Sequence, residues 1–316
     1  MKKLVALGLL ALATAFSSVH ATVTKPVKLI VGAPVGSGPD VLTRKLSERM
    51  TAKLGVPVII INRPGANGAL ALQEFNTETD RDHLIYLSDM QSAMIHPILS
   101  NQEKLIENVK HIAPLFKTDF VLAVSPKVQN FDQLAATIAN GKTSYGSWGI
   151  GSPPHVMGED LARSYKDNKA IHVPYKEYNQ WFIDTSSQNL TYSFVTVGSS
   201  LALEQKGALK YLAITSPQRN PKFPNLPTIS DLTKNQVEPY QAWASLSVHR
   251  DISPAAETTI RSAITEALAS NELKPTFDML NYITWTATPA ELNAFITKDT
   301  NKYRAAYKRY TITISN

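Results

Sequence analysis

The feature that most constrains this chain is an alternation. Short runs rich in Val, Ile, Leu and Tyr repeatedly give way to stretches of helical period. Residues 27–31 and 56–61 read as strands, as do 84–87, 120–124, 143–146, 171–174, 190–197, 209–215 and 245–249. Residues 40–54 read as a helix, because Leu42, Leu46, Met50 and Leu54 recur every fourth position and Gly55 supplies the stop. Strands that alternate with such helices build βαβ units, so the expected class is α/β, with mainly parallel sheets flanked by helices. A length of 316 residues leaves room for two of them.

Residues 1–21 stand apart from this rhythm. Lys2 and Lys3 precede an apolar run over 4–16, and Val19 and Ala21 occupy the positions before a signal-peptidase cut. The run is too short to span a bilayer, so the segment reads as a secretory signal peptide. Its removal lowers the net charge from +6 to +4, and no block of five or six like charges follows, which argues against nucleic acid as a partner. The basic stretch from Lys298 to Arg309 is interrupted by Asp299 and by tyrosines, and reads as a solvated helix face. The absence of cysteine excludes a disulfide scaffold, thiolate metal sites and a Cys nucleophile. An exported chain of this kind suits a bacterial periplasm. Four prolines within 215–227 exclude a central strand or a helix interior there, so an extended surface connection is expected. Pro254 and Pro289, each followed by an acid, mark first turns of C-terminal helices.

Three glycine-bearing turns each follow a strand and open a helix: 33–40, 62–68 and 145–155. Turns of this kind aim backbone amides and the positive end of a helix at an anion. In open α/β sheets they lie at the carboxyl ends of strands, where ligands bind. A nucleotide phosphate is disfavoured. The sequence Gly36-Ser37-Gly38-Pro39-Asp40 lacks the third glycine of a dinucleotide fingerprint and Pro39 removes an amide, while the Gly141-Lys142-Thr143 triplet lacks the earlier glycine of a phosphate loop. A carboxylate fits the same amides.

Nucleophile and metal signatures are missing. No G-x-S-x-G, H-E-x-x-H or S-x-x-K pattern occurs, and the histidines are scattered singly. No catalytic residue, metal or cofactor is therefore assigned. His155, at the start of the third helix, is either a packed or capping residue or one that faces a ligand. Ser37, Ser147 and Ser152 either donate to a bound carboxylate or bond locally within their turns. Trp148, Tyr178, Trp181 and Phe182 are either pocket wall or core, with Trp148 badly placed for core inside a glycine-rich loop.

Taken in order, 25–31, 34–40, 56–66, Tyr145-Gly146-Ser147, 149–152, His155, 172–176, 207–216 and 224–229 resemble the Bug family. These are periplasmic solute-binding receptors of tripartite tricarboxylate transporters, and the match covers nearly the whole mature chain. The resemblance implies a two-domain periplasmic binding protein of flytrap, type II-like form. Its division would be signal peptide 1–21, domain one at 22–121 and 245–316, and domain two at 122–244, closing on a ligand. It implies no catalysis, a small carboxylate as ligand, membrane permease subunits or a sensor as partner, and a monomer. It also implies that the first and third loops grip one carboxylate, through Val35, Gly36, Ser37, Gly38 and Asp40, and through Ser147, Gly149, Ile150, Gly151, Ser152 and His155. Asp40 is read mainly as a helix cap, since two carboxylates repel.

Departures from the family pattern shape the expected ligand. Asn67-Gly68-Ala69 stands where Gly-Gly-Asn is usual, so Asn67 is expected to supply the missing side chain. Glu177 replaces a glycine, and Val195 replaces an acid that meets the ligand ammonium in amino-acid-binding members, which points to a ligand without an amine. Trp148 and Tyr178 are expected to wall its apolar end. An aromatic or aliphatic acid is preferred over citrate, whose extra charges would need Arg63 or Lys176. The alternatives are a secreted hydrolase or lyase using His155 with a loop serine, and an orphan sensory binder without a transporter.

Overall fold

The computed structural model describes residues 23–141, 143–165 and 170–313; the signal-peptide segment and Lys142 lie outside them. The strands are β1 Val27–Val31, β2 Val58–Asn62, β3 Leu84–Asp89, β4 Val109–Val124, β5 Ser144–Ser147, β6 Ile171–Pro174, β7 Tyr192–Thr196, β8 Lys210–Ile214 and β9 Gln241–His249. The helices are α1 Gly38–Leu54, α2 Ala69–Thr77, α3 His96–Leu99, α4 Phe131–Ala139, α5 Pro153–Arg163, α6 Tyr178–Ser186, α7 Val197–Gln205, α8 Ile229–Thr233, α9 Pro254–Leu268, α10 Lys274–Met279 and α11 Pro289–Tyr310.

Two sheets share one strand. In the first, β1 pairs in parallel with β2 and β3, and β9 lies antiparallel between β3 and β4. In the second, β5 pairs in parallel with β6 and β7, and β4 lies antiparallel between β7 and β8. The first part of β4, through Asp119, faces β9; from Phe120 onward it belongs to the second sheet. The sequence reading finds only that second part. Pro114 hides the rest, and register shifts on either side of it, at His111/Ala113 and Pro114/Phe116, let the strand continue.

Each sheet has its own core. Leu42, Leu46 and Met50 of α1 pack with Leu29 and Val31 of β1 and with Ile260 and Ile264 of α9. The spacing that identifies α1 in the sequence is therefore its buried face. The last helix behaves differently from α9. Leu292, Ile296, Tyr303 and Tyr307 of α11 pack with Phe120, Leu122, Tyr145 and Tyr192, so α11 covers the second sheet although it follows the return to the first. Its inner face is also not a solvated one. Trp243 donates its indole N–H to Asp299 (2.8 Å), and the Lys302 ammonium lies 3.5 Å from the Tyr240 ring centre. Burial pushes the Asp299 carboxyl up and the Lys302 ammonium down, and the charges of neighbouring groups oppose both shifts.

Candidate functional site

The carboxyl ends of β1 and β3 meet those of β5 and β7 across a cleft between the sheets. Several contacts cross it. The Trp148 indole N–H donates to Gln91 (3.4 Å), and the Leu280 carbonyl fills the place of a side chain at Gly198. Tyr282, stacked on Phe116 at 3.8 Å, closes against Gly38 and lies within electrostatic reach of Tyr178. Tyr178, the first residue of α6, is 48 % exposed. Protein nevertheless surrounds its hydroxyl closely enough that desolvation raises its pKa. Beside Tyr178, the proline-rich segment is irregular and borders a cavity of about 750 Å³, with 268–284 on the opposite wall.

The first loop is held from within. Gly36, at φ +80°, donates its N–H to Asp40 (2.9 Å), whose carboxylate also accepts from Asn62 (2.8 Å) and Arg44 (3.0 Å). Burial pushes the Asp40 carboxyl up, but the hydrogen bonds from Arg44, Gly36 and Asn62 outweigh this and hold it below its usual range. Ser37 takes the N-cap position without a side-chain cap bond, and its hydroxyl donates to the Pro34 carbonyl (2.6 Å). Asp40 therefore braces the loop as well as charging the first turn of α1. Val35 is exposed, at 72 %. Gly38 and Asp40 keep backbone N–H groups with no acceptor among the described residues, as a helix start requires.

The third loop is more architectural than expected. Tyr145 stacks between His172 (5.3 Å) and Tyr192 (5.6 Å), and the Trp181 indole occupies the space a side chain at Gly146 would need. Ser147 is fully buried; its Oγ lies 2.6 Å from His172 Nε2 and accepts the Gly149 N–H (3.0 Å). Ser152 is fully buried and donates to the Gly149 carbonyl (2.7 Å). His155 accepts the Gly151 N–H at Nδ1 (2.9 Å) and stacks on His172 at 3.7 Å. Burial pushes His155 down to about 4; burial and the neighbouring His155 push His172 down to about 3. Both rings are neutral near pH 7. Of the two readings of His155, the structure supports the packed one, and of the serine readings, local bonding. Gly151 is wedged against Leu99 and Tyr307, which leaves Trp148, Gly149 and Ile150 as the accessible part of the loop. The Ile150 N–H has no acceptor among the described residues.

Other expected residues divide. Asn67 is exposed, in a run of four positive-φ residues from Gly65 to Gly68. Val195 is buried at 1 % in the second-sheet core with Val121 and Trp181. β7 is buried on both faces from Tyr192 to Val195, and a strand without alternation does not reveal which side meets the cleft. Trp181 and Phe182 are core, whereas Trp148 and Tyr178 reach the cleft. Arg63 is taken up by Glu74. The reading missed Tyr282 and Asp89, single residues with no surrounding pattern.

The sequence profile of the tripartite tricarboxylate transporter family receptor matches residues 42–311. The chain belongs to that family. This receptor is similar to a UPF0065 protein of Bordetella pertussis, 28 % identical over 310 residues covering 93 % of this chain and 92 % of that one. It is 24 % identical to the protein BugT of the same organism over 288 residues, 88 % and 87 % of the two chains, which agrees with the Bug resemblance of its motifs. Among solved structures, a Rhodopseudomonas palustris protein with adipate superposes with a TM-score of 0.78 at 17 % identity, covering 92 % of this chain and 98 % of that one. MatC of R. palustris with bound malate gives 0.72 at 18 %, covering 89 % and 98 %. These likenesses give the receptor the fold of periplasmic binding proteins. No helix among its described residues is long and apolar enough to cross a membrane.

Proposed function

We propose that this receptor binds a small carboxylic acid between its two sheets, in the periplasm, and presents it to the membrane subunits of a tripartite tricarboxylate-type transporter. One observation supports the reading: the start of α1 on the first sheet and the loop that precedes α5 on the second carry N–H groups without an acceptor among the described residues, at Gly38, Asp40 and Ile150. Such groups carry partial positive charge and suit a carboxylate that closure brings to both. That the adipate and malate proteins share the fold accords with this. The moving units are read as 122–244 against 22–121 with the return from 245, and α11 travels with the sheet it covers.

The magnitudes are compatible. A micromolar complex needs about −8 kcal/mol. Three charge-assisted hydrogen bonds at about 1.5–3 kcal/mol each, less association and ordering costs, leave a deficit that apolar contact must fill. Trp148 and Tyr178 offer that contact. The hydrolase alternative finds no support, because both loop serines are buried and His155 is engaged by Gly151. A sensory role would use the same cleft.

A thermal-shift screen of mono-, di- and tricarboxylates tests the reading. A binder at a hundredfold excess over its Kd stabilises by about 2.7 kcal/mol, so at least one acid should raise the melting temperature by several degrees. A screen in which none does would refute it.

A further inference from the structure

Asp89 ends β3, paired with Ala244 of β9, at the cleft edge of the first sheet. One of its oxygens is committed. Oδ1 accepts the Ser92 N–H (2.8 Å) and the Ser92 hydroxyl (2.9 Å), which caps the turn that follows. Ser92 is itself clamped by Gly68 of the second loop, which leaves no room for a side chain there. The carboxylate is thus fixed before any ligand arrives. The backbone N–H groups of Gln91 and of Asp89 itself also bond the carboxylate, and no Lys, Arg or His among the described residues forms an ion pair with it. Asp89 is partly exposed at this strand end.

Its surroundings are those of the proposed ligand. Tyr282, which abuts Gly38 of the first loop, lies within electrostatic reach of both Asp89 and Tyr178. Two residues beyond Asp89, Gln91 bonds Trp148 of the third loop. A desolvated carboxylate without a counter-charge is costly, and burial accordingly pushes the Asp89 acid up, against the hydrogen bonds from Ser92, from the Gln91 backbone and from its own N–H. A group that brought positive charge to Oδ2 would remove this cost. A second ligand carboxylate there would increase it.

We propose that Asp89 determines specificity in this receptor, which takes a carboxylate that also bears a protonated amine, its acid end at the α1 and α5 starts and its nitrogen on Asp89 Oδ2. This inference rests on the carboxylate-receptor reading and adds the nature of the ligand's other end. It reverses the expectation of an amine-free ligand drawn from Val195, a residue the structure places in the core.

Calorimetric titration with chain-matched pairs tests it: glutarate against 5-aminopentanoate, adipate against 6-aminohexanoate, and succinate and glutarate against aspartate and glutamate. At least one amino acid should bind at least about tenfold more tightly than its matched dicarboxylate. Asp89→Asn keeps the acceptor for Ser92 and should weaken that amino acid by about tenfold or more while improving the dicarboxylate, with an unchanged unliganded melting temperature. Tighter binding of every dicarboxylate, or amino-acid affinity unaffected by D89N, overturns the inference and leaves the receptor reading standing. Binding by neither class, with a folded protein, overturns both.

Discussion

Gly36 and Gly151 hold matching places in the two loops yet should respond differently to a side chain. A Cβ at Gly36 meets open space, so Gly36→Ala costs only the left-handed backbone, about 1–2 kcal/mol. A side chain at Gly151 strikes Leu99 and crowds the Tyr307 hydroxyl. Gly151→Val should therefore lose about 3 kcal/mol or more in denaturant unfolding. Equal losses would show that the third loop is not wedged as described. Asp40 carries a pH signature. Its folded pKa lies below the unfolded value of about 3.9, so its contribution is complete above that value and is lost as pH falls through the folded pKa. Asp40→Asn should cost about 2 kcal/mol at pH 7, and the gap from the parent should narrow below pH 4. At this scale the sequence is least legible. Glycine and serine positions locate the loops, but which amide faces inward depends on Asp40 and His155, partners whose roles only the folded geometry displays.

At the level of elements, legibility follows periodicity. The four-residue spacing of α1 and the proline-acid starts of α9 and α11 are visible because each reflects local physics, and Thr288 with Glu291 closes the α11 capping box. β4 is half hidden because Pro114 contradicts a strand that bulges rescue, and the docking of α11 on the second sheet has no local signature. Thr288→Ala should lower stability by about 1 kcal/mol, shifting the melting temperature by about 2–4 °C. Tyr307→Phe removes the hydroxyl that holds the Gly151 carbonyl, so amide exchange should quicken at Gly149 and Gly151 while β1 and β3 stay protected. Unchanged exchange there would mean that α11 does not brace the loop.

Three histidines of the molecule, His111, His155 and His172, are shielded from water strongly enough to stay neutral. Burial holds His111 and His155 at about 4, and burial with the neighbouring ring holds His172 at about 3. These values lie below the unfolded value of about 6.5. The stability they confer is therefore complete above pH 6.5 and falls as acid protonates the unfolded chain, by up to about 1.4 kcal/mol per pH unit for each ring. Denaturant unfolding between pH 7 and 4.5 should show this decline, and replacing His155 with Asn should reduce the slope. The positive net charge of +6 takes no part in the proposed binding, which depends on N–H groups at Gly38, Asp40 and Ile150. The most direct test titrates the best-binding acid and its primary amide side by side in a calorimeter. The account predicts micromolar binding of the acid and at least about a hundredfold loss for the amide; equal affinity for the two would contradict it.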